Sequence, residues 1–210
     1  MPDRILVTDV EERAALAVCR GLAAAGYLVS GVAGTSPAAG HWSRSVDRRY
    51  RLPNPRLDPE GFVSGLAAIA ERGEHAALIP GVDAAVLAVS EHRERFEQHL
   101  RLGLPPRHVV ARALDKPAFL AAAEAVGIGA PPSALCATVD VAAAAAARVG
   151  YPVVLKPPRS LLRDERRMVT SSFAGDEREL RALAPGFDPP FTVQRYESGR
   201  VVSVGGVTGD

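Results

Sequence analysis

The chain has 210 residues, of which 47% are hydrophobic and 23% charged, and its formal net charge is +1. This is enough apolar material for a core without disulfide or metal staples, and the near-neutral balance gives no electrostatic footprint for nucleic acid or an anionic membrane. The two cysteines, Cys19 and Cys136, lie far apart in apolar settings and read as reduced core residues of a cytoplasmic protein; no signal peptide and no apolar run of about 18 residues is seen.

In chain order, "RILVTDV" (4–10) predicts a buried strand. "EERAALAVCRGLAAAG" predicts a helix, with Glu11 and Glu12 at its N-terminus and Gly26 ending it. "YLVSGVAG" (27–34) predicts a second strand, and strand–helix–strand at this spacing is a βαβ unit with a parallel sheet. Residues 35–57 read as irregular. A helix over 58–72, the strand "HAALIPG" (75–81) and a helix from Asp83 to His99 complete a small Rossmann-like, doubly wound unit. "LGLPPRHV" (102–109) has the composition of a linker or domain edge.

Beyond it the pattern changes. "LDKPAFLAAAEAVGIGAPPS" predicts a helix that starts at Asp115 and Pro117 and stops at Gly127. The strand "SALCAT", a helix ended by Gly150, the strand "YPVVLK", a returning strand in "RMVTSSF", the helix "GDERELRALAPG" and the strands "PFTVQRYE" and "GRVVSVGGV" come next. Antiparallel strands mixed with helices imply a separate α+β module. The reading is therefore α/β, with one domain over 1–109 and a second over 110–210.

Several chemistries lack their motifs. The turn "TDVEER" after the first strand has no GxGxxG spacing, and its two glutamates would repel a phosphate. His41, His75, His92, His99 and His108 show no ligand spacing. Ser43 and Ser45 have no identified base, and neither GxSxG nor GxxxxGK[ST] occurs.

The basic residues are 23 arginines and only two lysines, Lys116 and Lys156. Strand alternation in "PVVLK" puts Val154 and Lys156 on one face and Val153 and Leu155 on the other. A terminal lysine can be an edge charge that discourages aggregation, but arginine would serve equally. A compact ammonium with three donors suits a narrow phosphate slot, beside an apolar floor where a flat base can rest.

"LDKPAFLAAAEAVGIGAPPS", "VGYPVVLKP" and "FTVQRYESGRVVSVGGV" resemble, in that order, the entry helix, the lysine-bearing strand and the hinge of the ATP-grasp superfamily. "ILVTDVEERAALAVCRGLAAAGYLVSGV", "WSRSVDRRYRLPNP" and "ALIPGVDAAVLAVSEHRERF" resemble the domain that precedes it in carboxylate–amine ligases related to carbamoyl phosphate synthase.

The resemblance implies a pre-ATP-grasp domain followed by the front part of an ATP-grasp domain, with ATP and Mg²⁺ as cofactors of the full-length enzyme. Lys116 and Lys156 would contact phosphates and Val154 would pack on adenine. Gln194, Arg195, Tyr196 and Glu197 would form the hinge, offering mainly backbone groups. In place of the family's glycine-rich loop stands "PPRSLLRDERRMVTSSF"; Arg159, with Arg163, Arg166 and Arg167, is a candidate phosphate or carboxylate clamp, or else part of a solvated loop.

The family's metal-binding carboxylates and catalytic residues fall in a later lobe. They are expected beyond Asp210, the last residue, so no catalytic residue and no metal ligand is expected in this sequence. The expected protein is the front half of a ligase that joins a small-molecule carboxylate to an amine through an acylphosphate. It would be inactive alone, and be a deliberately shortened piece, a proteolytic product or a truncated gene. Asp83 either faces a substrate crevice or caps the following helix. Oligomeric state stays open, with a homodimer among the options. The rival reading is a non-catalytic binding or interaction module.

Overall fold

Arg4–Val7 (β1) and Leu28–Ala33 (β2) are almost wholly buried and pair in parallel, joined by the helix Arg13–Ala24 (α1). This is the expected βαβ unit. The computed structural model describes residues 2–35, 37–157, 171–200 and 202. Among these the chain divides into two compact units, one running to Asp115 and one starting at Lys116.

The first unit adds Arg48–Arg51 (β3), Pro59–Ala70 (α2), Ala77–Ile79 (β4), Asp83–Glu91 (α3), Arg101–Leu102 (β5) and Arg107–Leu114 (α4). Its five strands are parallel, in the order β3-β2-β1-β4-β5. Alternation in β1 divides the core. Ile5 and Val7 cluster with Ala15 and Cys19 of α1, whereas Leu6 clusters with Phe62 and Leu66 of α2 and Val89 of α3. Helices thus cover both faces, as a doubly wound sheet requires.

Several expectations for this unit need correction. The stretch 35–57 is not wholly irregular, since it holds a 3₁₀ turn at Ala39–Trp42 and the edge strand β3. β3 reads "RRYR" and has no apolar run; its pairing with β2 makes it a strand. The supposed linker over 102–109 contains the end of β5 and the start of α4. The helix from Asp83 stops at Glu91, because His92 leaves helical geometry (φ −116°, ψ 27°) and a 3₁₀ turn follows at Arg93–Arg95. Phe96 and Leu100 are buried four residues apart, a spacing that imitates a continuing helix. Glu11 and Glu12 do stand at the N-terminus of α1, Glu12 in the N-cap position without a side-chain cap, and the Glu11 carboxylate accepts a hydrogen bond from the Gly34 amide at 2.9 Å.

The second unit comprises Lys116–Ala125 (α5), Ser133–Cys136 (β6), Val139–Val149 (α6), Val153–Lys156 (β7), Ser172–Ala174 (β8), Glu177–Leu183 (α7) and Phe191–Arg195 (β9). Its sheet is antiparallel, in the order β6-β9-β7-β8. Thr138 and Asp176 cap α6 and α7 by accepting from the amides of Val141 and Glu179. Gly150 follows α6 with φ 86°, a conformation that strains any residue carrying a Cβ. Val153, Leu155 and Val193 are fully buried with Ala142, Ala146 and Leu180, so the helices cover one face of this sheet. Both cysteines are buried and free. Of the expected strand "GRVVSVGGV", residues 201 and 203–207 lie outside the described residues, as does Asp210. Among the described residues, no helix is long and apolar enough to cross a membrane.

Candidate functional site

The helix-covered face of the second sheet takes Val153 and Leu155 from β7, so Val154 and Lys156 must point to the other face. The antiparallel register extends that face across the sheet in two rows. One runs Ser133–Gln194–Val154–Phe173, and the other Leu135–Thr192–Lys156. Tyr196 follows Gln194 by two residues. Its amide donates to the Pro152 carbonyl at 2.9 Å, and its ring meets Phe173 edge-to-face with centroids 5.3 Å apart.

Leu135, Phe173 and Tyr196 are about half exposed, which leaves an apolar floor open beside Val154. Phe173 and Tyr196, in ring contact next to Val154, form a small apolar patch on this face, whereas Leu135 stands on the opposite edge strand β6; exposed apolar patches can mark binding surfaces.

The polar groups gather at one end of this floor. Lys156 Nζ donates to Gln194 Oε1 at 2.6 Å. Lys116, the first residue of α5, sends its Nζ to the carbonyl of Pro157 at 3.2 Å. The two lysines are therefore brought to the same end of β7, since one holds the carbonyl directly after the other. Thr192 is opposite Lys156 in register, and its buried Oγ1 has no hydrogen-bond partner among the described residues. A buried hydroxyl without a partner is unusual and leaves capacity for a ligand.

Of the remaining candidates, Arg195 continues β9 and its guanidinium is paired with Glu197 at 2.6 Å. Both side chains of this pair stay about half exposed, and the Arg195 amide already donates to the Pro132 carbonyl at 2.9 Å. Arg159 and the arginines at 163, 166 and 167 lie outside the described residues. The catalytic residues are expected beyond Asp210, and none is assigned among the described residues. The sequence reading missed Thr192, Leu135 and Phe173. The polar–apolar alternation of "FTVQR" carries a signal for Thr192, because Thr192 and Gln194 share a face. Nothing local marks Leu135 or Phe173, which reach the site through register alone.

A second hollow, of about 250 Å³, lies in the first unit and is lined by Asp9, Glu11, Glu12, Thr35, Asn54, Arg56 and Val82. It sits at the carboxyl ends of β1, β2 and β4, where the strand order reverses, the usual ligand position in such sheets. Gly81 closes its base by donating to Thr8 Oγ1 and Asp9 Oδ2, both at 3.1 Å. Asp9 is buried and its carboxyl is raised above its ordinary value, chiefly by loss of solvent. Asp83 does not line this hollow. It is the first residue of α3, and the N-cap position belongs to Val82, with no side-chain cap. Neither expectation for Asp83 holds as stated; its carboxylate lies in the first turn, where it complements the helix dipole. The crevice lining is supplied by Asp9, Glu11 and Glu12 instead.

No family model matches the chain, and no curated protein matches it. Solved structures do. The biotin carboxylase domain dimer of 2-oxoglutarate carboxylase from Hydrogenobacter thermophilus, in complex with MgADP, ADP and bicarbonate, is 18% identical with a TM-score of 0.63, over 93% of this chain and 44% of that one. The N5-carboxyaminoimidazole ribonucleotide synthetase of Thermus thermophilus is 17% identical with a TM-score of 0.64, over 92% and 47%. The carboxyaminoimidazole ribonucleotide synthase of Aspergillus clavatus, complexed with ATP, is 10% identical with a TM-score of 0.66, over 93% and 47%. At these identities the likeness is one of fold. The α/β arrangement is shared with a part of each of these enzymes, and the chain spans less than half the length of each.

Proposed function

We propose that the open face of the second sheet is a nucleotide site, and that this chain serves an ATP-dependent ligase joining a small-molecule carboxylate to an amine. The observation that carries the reading is the meeting of Lys116 and Lys156 at one end of β7, beside the apolar floor of Val154, Phe173 and Tyr196. A purine ring would rest on the floor, and its triphosphate would lie toward the two ammonium groups. Lys156 would hand one of its three donors to a phosphate oxygen while Gln194 Oε1 accepts another. Thr192 Oγ1 would find its missing partner there. The backbone beyond Tyr196, whose own amide is taken by the Pro152 carbonyl, would read the base edge.

Bound ATP supplies the phosphoryl group that activates a carboxylate for attack by the amine. The residues present would bind and orient it. Among the described residues no group of three or more His, Cys, Asp or Glu is placed to hold a metal ion, and no Mg²⁺ ligand is assigned. In the first unit, the carboxylates of Asp9, Glu11 and Glu12 disfavour a phosphorylated substrate in the crevice and suit a cationic amine. A homodimer is the assembly to look for, given the Hydrogenobacter dimer. A cytoplasmic location agrees with two buried free thiols.

Calorimetric titration of ATP tests the reading. Each charge-assisted hydrogen bond is worth roughly 1.5–3 kcal/mol, so Lys156→Ala should weaken binding by about tenfold to a hundredfold. Lys116→Ala should act in the same direction. Unchanged affinity in both variants would overturn the nucleotide assignment.

A further inference from the structure

Apart from the sites described above, the first unit carries an exposed tryptophan beside two arginines without an acidic partner among the described residues. Trp42, the only tryptophan of the chain, is 82% exposed. It ends the 3₁₀ turn Ala39–Trp42, which is fixed to the segment that follows β1. The Gly40 amide donates to the Val10 carbonyl at 2.9 Å, and a Cβ on Gly40 would lie only 2.4 Å from Val10 Cβ. The indole is thus displayed from a firmly seated turn, although burying it would be favourable.

Next to it runs the edge strand β3. Tyr50 packs against the core on one face, so Arg49 and Arg51 share the other. Both are exposed, and among the described residues neither has an acidic partner, whereas Arg4 and Arg48 pair with Asp47 and Glu74. Together with His41, Pro37 and Ala38 these side chains line a hollow of about 190 Å³ that contains no carboxylate. His41 Nε2 is buried there without a hydrogen-bond partner among the described residues. Edge-strand charge that prevents aggregation would explain the arginines. It explains neither the displayed indole nor the uncompensated imidazole nitrogen.

We propose that this hollow binds a small anion carrying a planar ring. The guanidinium forks of Arg49 and Arg51 match a carboxylate or phosphate in bidentate geometry, and the indole offers a face for the ring. Typical sites for drug-sized ligands occupy roughly 300–1,000 Å³, so this smaller hollow suits one ring and one acidic group. An aryl carboxylate and a nucleoside monophosphate share that chemistry.

Trp42 is its own reporter. Its emission is followed while the chain is titrated with benzoate, adenosine monophosphate or inorganic phosphate, against sodium chloride at equal ionic strength. A saturable change with benzoate or the nucleotide is expected, weakened at least tenfold in Arg49→Gln/Arg51→Gln at an unaltered melting temperature. Tighter binding of benzoate identifies a carboxylate ligand, and tighter binding of the nucleotide a phosphate one. A response no different from that of sodium chloride, or one retained by the double variant, would overturn the site. Inorganic phosphate binding as tightly as either ringed probe would overturn the ring. Because the readout depends on Arg49 and Arg51, loss of nucleotide binding at Lys156 leaves it unaffected.

Discussion

His75 shows how one side chain sets a condition on the whole first unit. It is almost fully buried, its Nε2 lies 2.9 Å from Ser30 Oγ, and its Nδ1 has no partner among the described residues. Burial lowers its pKa below the usual value of about 6.5, helped by the charges of Arg4, Arg48 and Arg72 and opposed by Glu74. The folded state thus prefers the neutral ring. Its stabilisation is complete above the unfolded value and is lost as pH falls through the lower, folded value. Melting temperature measured from pH 7.5 to 4.5 should therefore fall on the acid side, and His75→Gln should flatten the part of that fall that begins below about pH 6.5. An identical pH profile in the variant would exclude this histidine as the cause.

Among the elements, α2 is the one whose start is most fully written in the sequence. "DPEG" places Asp58 at the N-cap, accepting from the Gly61 amide at 2.8 Å, with Pro59 at the first helical position. Asp58→Ala should cost about 1 kcal/mol, read as a lower urea midpoint at constant slope, while Asp58→Asn should keep most of the stability. β3 is the opposite case. Its three arginines give no apolar alternation, and it exists because β2 offers a free edge: the Asp47 amide donates to Val29 and the Leu52 amide to Ala33. Backbone pairing needs no side-chain pattern, so such a strand is silent in sequence. β7 was legible because its alternation coincides with burial on one side.

At the scale of the whole molecule, the unit running to Asp115 owns a complete five-stranded sheet with a cluster of buried side chains on each face. A chain ending at Asp115 should fold by itself, giving an α/β circular dichroism spectrum and one cooperative melt. A non-cooperative melt would show that this unit depends on the second one.

The order and class of most elements, the faces of β7 and the singular use of lysine could be read from the residues directly, because burial periodicity, capping and residue choice are local properties. Other features came only from the folded chain: Thr192 and Lys156 stand opposite each other, Phe173 meets Tyr196, Lys116 reaches the end of β7, and Asp9 rather than Asp83 lines the crevice. Those arrangements arise from strand register and helix placement across tens of residues. Hydrogen bonding between distant backbone segments fixes them, and it leaves no mark in any short window of sequence.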